Sequence, residues 1–557
     1  MLPFELYGDI IQYLDKESTK SLRLAYPSPK ILATTSLSLF ETLVLRLGNH
    51  RNSRSILERL RSCLLTTNDG DLSTNVILAN VRTLVVDTRY PFEVTDEFIS
   101  TRPKWRGSDG DITLVDFAND VPDEEIASFL DLLKRVFSAV SGRLRSLKWQ
   151  TSDFLVLETY NEIAKLLCPP ATQGKYELTI SHTFSQPWVL TEYLQPLSNC
   201  HRLEIVGQYI QKDTDVESAD MAAVTDLIQR SNQLKSLSFA CEAWMEDGAV
   251  DILWEAINRI STLEELKIQA SECCAIGSVK PSLSSKRLKY LSLIFFDYDF
   301  SAIGYDPVKT FWPPSTDTGS GGHQGLTKLA IGVYPISTKK LVLQQQGLTD
   351  LRLHVRTKED ALEVWGIIVP AVAKTLRRFK LTGCTGGQPW GWSQTASYAR
   401  ALLKCKNLEE VEVPFIERDW RLSDDKSVIN SLPTLIHEFV QNCPKLFRIY
   451  TGDIVADYNV SCSLLNVLKG FKSTDGCFRG RGVEVVLRRY TPGEWAGSRS
   501  KTRFPRSGDG EDMVGVFDYY IHRWRLKEVY NGRTDKTYIF QRAEDDCWLR
   551  NECWEDD

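Results

Sequence analysis

One short apolar pattern recurs along the chain and constrains its fold more than any other feature. It has the form apolar, two variable residues, apolar, one variable residue, apolar. It reads "LRSLKW" from Leu144, "CHRLEI" from Cys200, "LKSLSF" from Leu234, "LEELKI" from Leu263 and "LKYLSL" from Leu288. It continues as "LTKLAI" from Leu326, "LTDLRL" from Leu348, "LRRFKL" from Leu376, "LEEVEV" from Leu408 and "LFRIYT" from Leu446. Weaker copies, "FETLVL" from Phe40 and "VRTLVV" from Val81, come before these. From Leu234 on, successive starts lie roughly 22 to 38 residues apart, in or near the range of solenoid repeats.

The last two apolar positions of each copy flank a variable one, so they fall on one face of a short strand. Burying a Leu or Ile is worth roughly 1.5–3 kcal/mol, and one strand cannot cover that face alone. Stacked neighbours can, so each unit needs the next. Helical stripes lead into the strands. Val224, Leu227 and Ile228 line one, and Ile252, Leu253, Ile257 and Ile260 another; "SYARALLKCKNLEEV" and "PTLIHEFVQNCPKLFRI" repeat the arrangement. Helix, polar turn, strand predicts an alternating α/β solenoid.

Composition narrows the function classes. The chain has 557 residues, 42% hydrophobic and 25% charged, with a formal net charge of −6. That balance gives no sign of nucleic-acid binding, which shows as a strongly basic domain. The 13 cysteines form no disulfide framework, and the close pairs Cys273/Cys274 and Cys547/Cys553 lack the further ligands zinc requires. Reduced, buried thiols are expected, and with them the cytosol or nucleus. The start carries Glu5, Asp9 and Asp15 and does not read as a secretory signal. No stretch reaches the ~20 apolar residues of a membrane span, so a soluble intracellular chain is expected. None of the seven His lies in a metal-binding pair, and the Gly-rich stretches "TDTGSGGHQG" and "TGCTGGQPWGW" lack a phosphate-loop Lys-Ser/Thr ending. No cofactor, metal or catalytic residue is predicted. Trp312, Trp390 and Trp392 sit in or near these loops and either pack on repeat edges or anchor a partner.

"LSNCHRLEIV", "LLKCKNLEEVEV" and "VQNCPKLFRIY" resemble leucine-rich repeats of the cysteine-containing kind found in F-box proteins, with Cys200, Cys405 and Cys443 beside the helix-to-strand turn. The N-terminal stretch "MLPFELYGDIIQYLDKESTKSLRLAYPSP" resembles an F-box in Leu2, Pro3, Glu5, Leu6, Ile10, Leu14 and Asp15, then Leu22, Arg23 and Leu24. Leu2, Leu6, Ile10 and Leu14 are four apart and make one apolar stripe, and Pro3 is tolerated in a first helical turn. "SLSLFETLVLRL" and "VRTLVVDT" resemble the segments that follow the F-box in many fungal members.

The resemblance implies an F-box-like helical module over 1–40 and an irregular leucine-rich horseshoe over 41–470. An ordered, aromatic-rich C-terminal cap is expected over 471–557, with a flexible segment near 496–512. It further implies a non-catalytic substrate receptor of a cullin–RING (Skp–cullin–F-box) ubiquitin ligase. The Skp adaptor would dock on Leu2, Pro3, Glu5, Leu6, Ile10, Leu14, Leu22 and Leu24, and a protein substrate on the repeats. The alternative is a leucine-rich scaffold that uses the N-terminal hairpin as a cap and has no ligase role.

In a leucine-rich repeat the variable residues flanking the apolar pair point to the concave face. The third positions of the last five copies are Lys328, Asp350, Arg378, Glu410 and Arg448, alternating in sign. The fifth are Ala330, Arg352, Lys380, Glu412 and Tyr450, which sets Arg352 beside Lys380, with His354 close by. Like charges on neighbouring strands repel unless something neutralises them. Either Asp350 and Glu412 do so, or Arg352, His354 and Lys380 take an acidic or phosphorylated peptide, with Lys328, Arg378 and Tyr450 on the same face.

Overall fold

The computed structural model describes residues 40–47, 76–89, 123–153, 155–168, 176–184, 190–207, 218–241, 247–270, 287–295, 325–332, 338–355, 357–383, 398–413, 427–455, 472–473, 483–492, 517–531 and 535–542. Leu2, Pro3, Glu5, Leu6, Ile10, Leu14, Leu22 and Leu24 lie outside them, as do Trp312, Trp390, Trp392, Cys273, Cys274, Cys547, Cys553 and the segment 496–512. Two compact units divide the chain: Met1–Arg287 with Phe296–Tyr298, and Leu288–Phe295 with Asp299–Asp557. Each is α/β, with an open sheet that is parallel throughout the first unit and turns antiparallel at the end of the second.

In the first unit the strands are β1 (Thr42–Arg46), β2 (Thr83–Asp87), β3 (Ser146–Ser152), β4 (Glu177–Phe184), β5 (Arg202–Gly207), β6 (Ser236–Cys241) and β7 (Glu265–Ala270). Each pairs in parallel with the next. Between them run α1 (Val76–Asn80), α2 (Asp123–Val140), α3 (Leu157–Leu167), α4 (Leu190–Leu194), α5 (Ser218–Gln229) and α6 (Asp247–Arg259). The helix α2 shows how sequence makes the layer. Asp123, Glu124 and Glu125 sit at its positive end, and Phe129, Leu132, Leu133, Val136 and Val140 form its buried stripe. Strand residues alternate accordingly: Leu178, Ile180, His182 and Phe184 of β4 point into the core and their neighbours point out. Trp149, Trp254, Tyr160, Phe129, Phe184 and Phe239 are the largest fully buried side chains here.

The second unit begins with β8 (Tyr290–Phe295), β9 (Lys328–Ile331), α7 (Thr338–Gln344) and β10 (Asp350–Val355). Next come α8 (Lys358–Glu363), a π-helical turn (Val364–Ile368), α9 (Val369–Val372) and β11 (Arg378–Gly383). A 3-10 turn (Arg400–Lys404), β12 (Glu410–Glu412), α10 (Ser427–Asn442) and β13 (Arg448–Val455) follow. The chain closes on β14 (Lys472–Ser473), β15 (Glu484–Pro492), β16 (Phe517–Asn531) and β17 (Asp535–Arg542). From β8 to β13 neighbours are parallel, and β15 extends the run beside β13 with a register shift between Tyr450 and Asp453. Then the direction changes: β16 is antiparallel to β15, β17 to β16, and β14 to β17.

One backbone device recurs in both units. The carbonyl just before a strand accepts the two N–H groups that open the next. Arg82 and Thr83 donate to Glu41, Lys235 and Ser236 to His201, Thr349 and Asp350 to Thr327, and Arg377 and Arg378 to Thr349. A one-residue slip would break both bonds and turn every side chain to the wrong face, so the backbone and the apolar pattern specify the same register.

Two of the parallel strands escape the apolar pattern. The segments "ELTISHTF" of β4 and "EVVLRRYTP" of β15 have no leading pair of spaced leucines. Their apolar residues nonetheless occupy the same inward positions: Leu178 and Ile180 lie beside Leu147 and Trp149, and Val485 lies beside Ile449.

Candidate interaction face

In the second unit the register sets the outward side chains in rows. One row runs Tyr290, Lys328, Asp350, Arg378, Glu410, Arg448, Glu484. From Lys328 onward the charge alternates at every strand, and parallel neighbours are about 4.8 Å apart. The carboxylates are used internally. Arg378 Nε is 3.7 Å from Asp350 Oδ1, Arg448 Nη1 is 3.8 Å from Glu410 Oε1, and Arg448 Nε donates to Glu484 Oε2 at 3.0 Å. Lys328 Nζ lies 5.7 Å from the centre of the Tyr290 ring, a cation–π contact at the other end of the row.

The adjoining row runs Ser292, Ala330, Arg352, Lys380, Glu412, Tyr450, Val486. Arg352 and Lys380 are register neighbours, as the repeat spacing predicts. The repulsion is relieved from within: Lys380 Nζ is 2.9 Å from Glu412 Oε1, and the two side chains are only 12% and 14% exposed. Such a shielded pair is worth more than a surface one and leaves Lys380 little charge to offer. Arg352, His354 and Tyr450 are half-buried, whereas Lys328 and Arg378 are exposed. The Arg448 guanidinium stands 5.5 Å from the Phe447 ring and 5.7 Å from the Tyr450 ring, so Tyr450 serves as its platform. Lys328, Arg352, Arg378, Lys380 and Tyr450 thus share one face, with His354 one step along β10. This arrangement suits recognition of an extended chain through charge-assisted hydrogen bonds.

Reading single repeats misses the groups that close these rows. Glu484 is supplied by the unmarked β15. In the first unit Arg202 of β5 bridges Glu177 of β4 and Glu265 of β7, at 3.2 Å each, and Ser236 donates to Glu265 at 3.1 Å. Asp87 accepts from Arg46 Nε at 3.1 Å and from Arg89 Nε at 3.2 Å, and Arg89 also donates to Gln150 at 3.0 Å. Strict alternation in "ELTISHTF" is the signal that would have located Glu177.

The repeat cysteines are packing groups. Cys200, Cys405 and Cys443 are fully buried, and Cys443 Sγ lies 3.7 Å from the Leu402 carbonyl. Burial pushes the Cys200 and Cys405 thiols up to about 12, so neither offers a thiolate at neutral pH. Among the described residues no group of His, Cys, Asp and Glu could hold a metal ion, and no helix is long and apolar enough to cross a membrane. Compared with models of known protein families and with curated proteins, the chain matches none.

Proposed function

We propose that this chain is the substrate-recognition subunit of a Skp–cullin–F-box ubiquitin ligase, a receptor without catalytic residues or cofactor. Its N-terminal segment docks the Skp adaptor, and its repeats hold a protein substrate close to the ubiquitin-loaded enzyme. The gain is effective concentration, since tethering makes transfer quasi-intramolecular. The observation that carries this reading is the in-register polar face of the second unit, which offers an extended row of charges over a stack of repeat strands. Support for the adaptor comes from the Leu-Pro start and the apolar stripe of Leu2, Leu6, Ile10 and Leu14 ahead of the repeats. The substrate class is an acidic or phosphorylated segment, met by Arg352, His354, Arg378 and Lys328, with Lys380 in a lesser part because Glu412 already neutralises it. A cytosolic or nuclear location fits the reduced, buried thiols.

Co-purification with the Skp adaptor tests the proposal, comparing the full chain with one lacking residues 1–30. Recovery of adaptor with the full chain alone is the expected result. Equal recovery from both overturns the docking role and leaves a repeat scaffold without ligase function.

A further inference from the structure

Between the inner face of β3 and β4 and the helices α3 and α4, the first unit buries polar groups that protein does not satisfy. Thr151, Tyr160 and His182 are fully buried. Thr151 Oγ1, Tyr160 Oη and both ring nitrogens of His182 have no hydrogen-bond partner. They belong together. Thr151 and His182 are register neighbours on adjacent strands and face the same way. The Tyr160 ring centre lies 5.5 Å from that of His182, which stacks on Phe184 at 3.8 Å. Tyr193 completes the enclosure, 4.8 Å from Tyr160 and 5.6 Å from His182.

Among the described residues, the nearest polar groups are already engaged. The Tyr193 hydroxyl proton is committed to the carbonyls of Leu155 at 2.7 Å and Asp153 at 3.1 Å. The Thr183 carbonyl accepts the Asp153 N–H at 3.2 Å and lies close enough to the imidazole to favour its protonated form slightly. A neutral imidazole has one donor and one acceptor nitrogen, a phenol and a threonine hydroxyl both. Leaving four such atoms unpaired would cost a large share of a domain's net stability. None of the four carries a charge at neutral pH, and burial disfavours the imidazolium. The chemistry left is a small neutral molecule able to donate and accept at once, with two to four polar partners, which describes an internal water.

We propose that this cluster is an internal water-binding site in which one or two water molecules bridge His182 to Thr151 and Tyr160, tying α3 to β3 and β4. A helix from one connection and two adjacent strands are then joined through hydrogen bonds that direct packing cannot make.

A high-resolution crystal structure of the full chain tests it. Ordered density about 2.7–3.2 Å from a His182 ring nitrogen and from Thr151 Oγ1 or Tyr160 Oη is the expected result. Ring nitrogens paired directly with protein atoms, or no such density, overturn it. In solution, water-oxygen magnetic relaxation dispersion counts long-lived internal waters. Thr151→Val with Tyr160→Phe keeps both side chains' shapes and is expected to lower that count by at least one. An unchanged count in a variant that keeps its native circular dichroism overturns the proposal as well.

Discussion

His182 shows what burial does to a single ionisable residue. Its ring sits among Tyr160, Phe184 and Tyr193, all uncharged, and burial lowers its pKa from 6.5 to about 3, against a weak opposing pull from the Thr183 backbone. An unfolded chain takes up a proton near pH 6.5 that the folded chain refuses until about pH 3. The unfolded state therefore binds more protons across that window, and stability rises with pH through it and is complete above it. Each pH unit in the window is worth about 1.4 kcal/mol, so roughly 3 kcal/mol should be lost between pH 6.5 and 4. Urea midpoints over that range, for the native chain and for His182→Phe, check this. The native chain should lose stability more steeply on acidification. Parallel slopes would mean that the ring titrates normally. The thiols behave in the opposite direction: with pKa values raised by burial, Cys200 and Cys405 favour the folded state less as pH climbs past 9.

Among the elements, the connection from β10 to β11 carries the clearest mark of local sequence. Thr357 opens α8 with a reciprocal cap: its hydroxyl accepts the Asp360 N–H at 3.2 Å while Asp360 Oδ2 accepts the Thr357 N–H at 3.2 Å. The helix then widens into a π turn over Val364–Ile368 just ahead of Pro370. Proline has no N–H to donate to Gly366 four residues back, and the wider turn accommodates that loss. A Cβ placed on Gly366 would meet nothing within 4 Å, so this glycine only adds freedom to the unfolded chain. Gly366→Ala should therefore stabilise the protein by about 0.5–1 kcal/mol, read as a higher urea midpoint at unchanged m-value. A lower midpoint would show that the absent side chain makes room for another group. The Thr357–Asp360 spacing is a cap that sequence carries, but the π turn is not, because the apolar pattern speaks to strands and to long helical stripes. Strands with spaced leucines were legible. Those of β4 and β15 were not, since their inward positions are set by pairing with neighbours rather than by a motif of their own.

At the scale of the molecule, stacked parallel strands leave a problem at the end of the stack. The charged rows were legible because an in-register sheet preserves the offset from one repeat to the next, so counting positions located Lys328, Asp350, Arg378, Glu410 and Arg448 together. A C-terminal cap was expected from the aromatic-rich composition of 471–557, but its change of strand direction was not, because composition does not encode it. The last parallel strand, β15, has β13 on one side and would otherwise present a row of unpaired N–H and C=O groups on the other. There β16 pairs along all of Glu484–Pro492, from Glu484 opposite Arg525 to Pro492 opposite Phe517, and β17 covers β16 in turn from Trp524 to Asn531. The antiparallel hairpin is an edge guard for a repeat stack that has no natural end. Deleting residues 517–557 should then bare the β15 edge and make the protein associate in a concentration-dependent way, seen by size-exclusion chromatography with light scattering. Reversing the strand-forming character of a newly exposed edge should undo it: Val486→Lys in the truncated chain is expected to restore a monomer, because an edge lysine resists pairing with a second copy. A truncated chain that stays monomeric without that substitution would show that β16 and β17 serve something other than the edge.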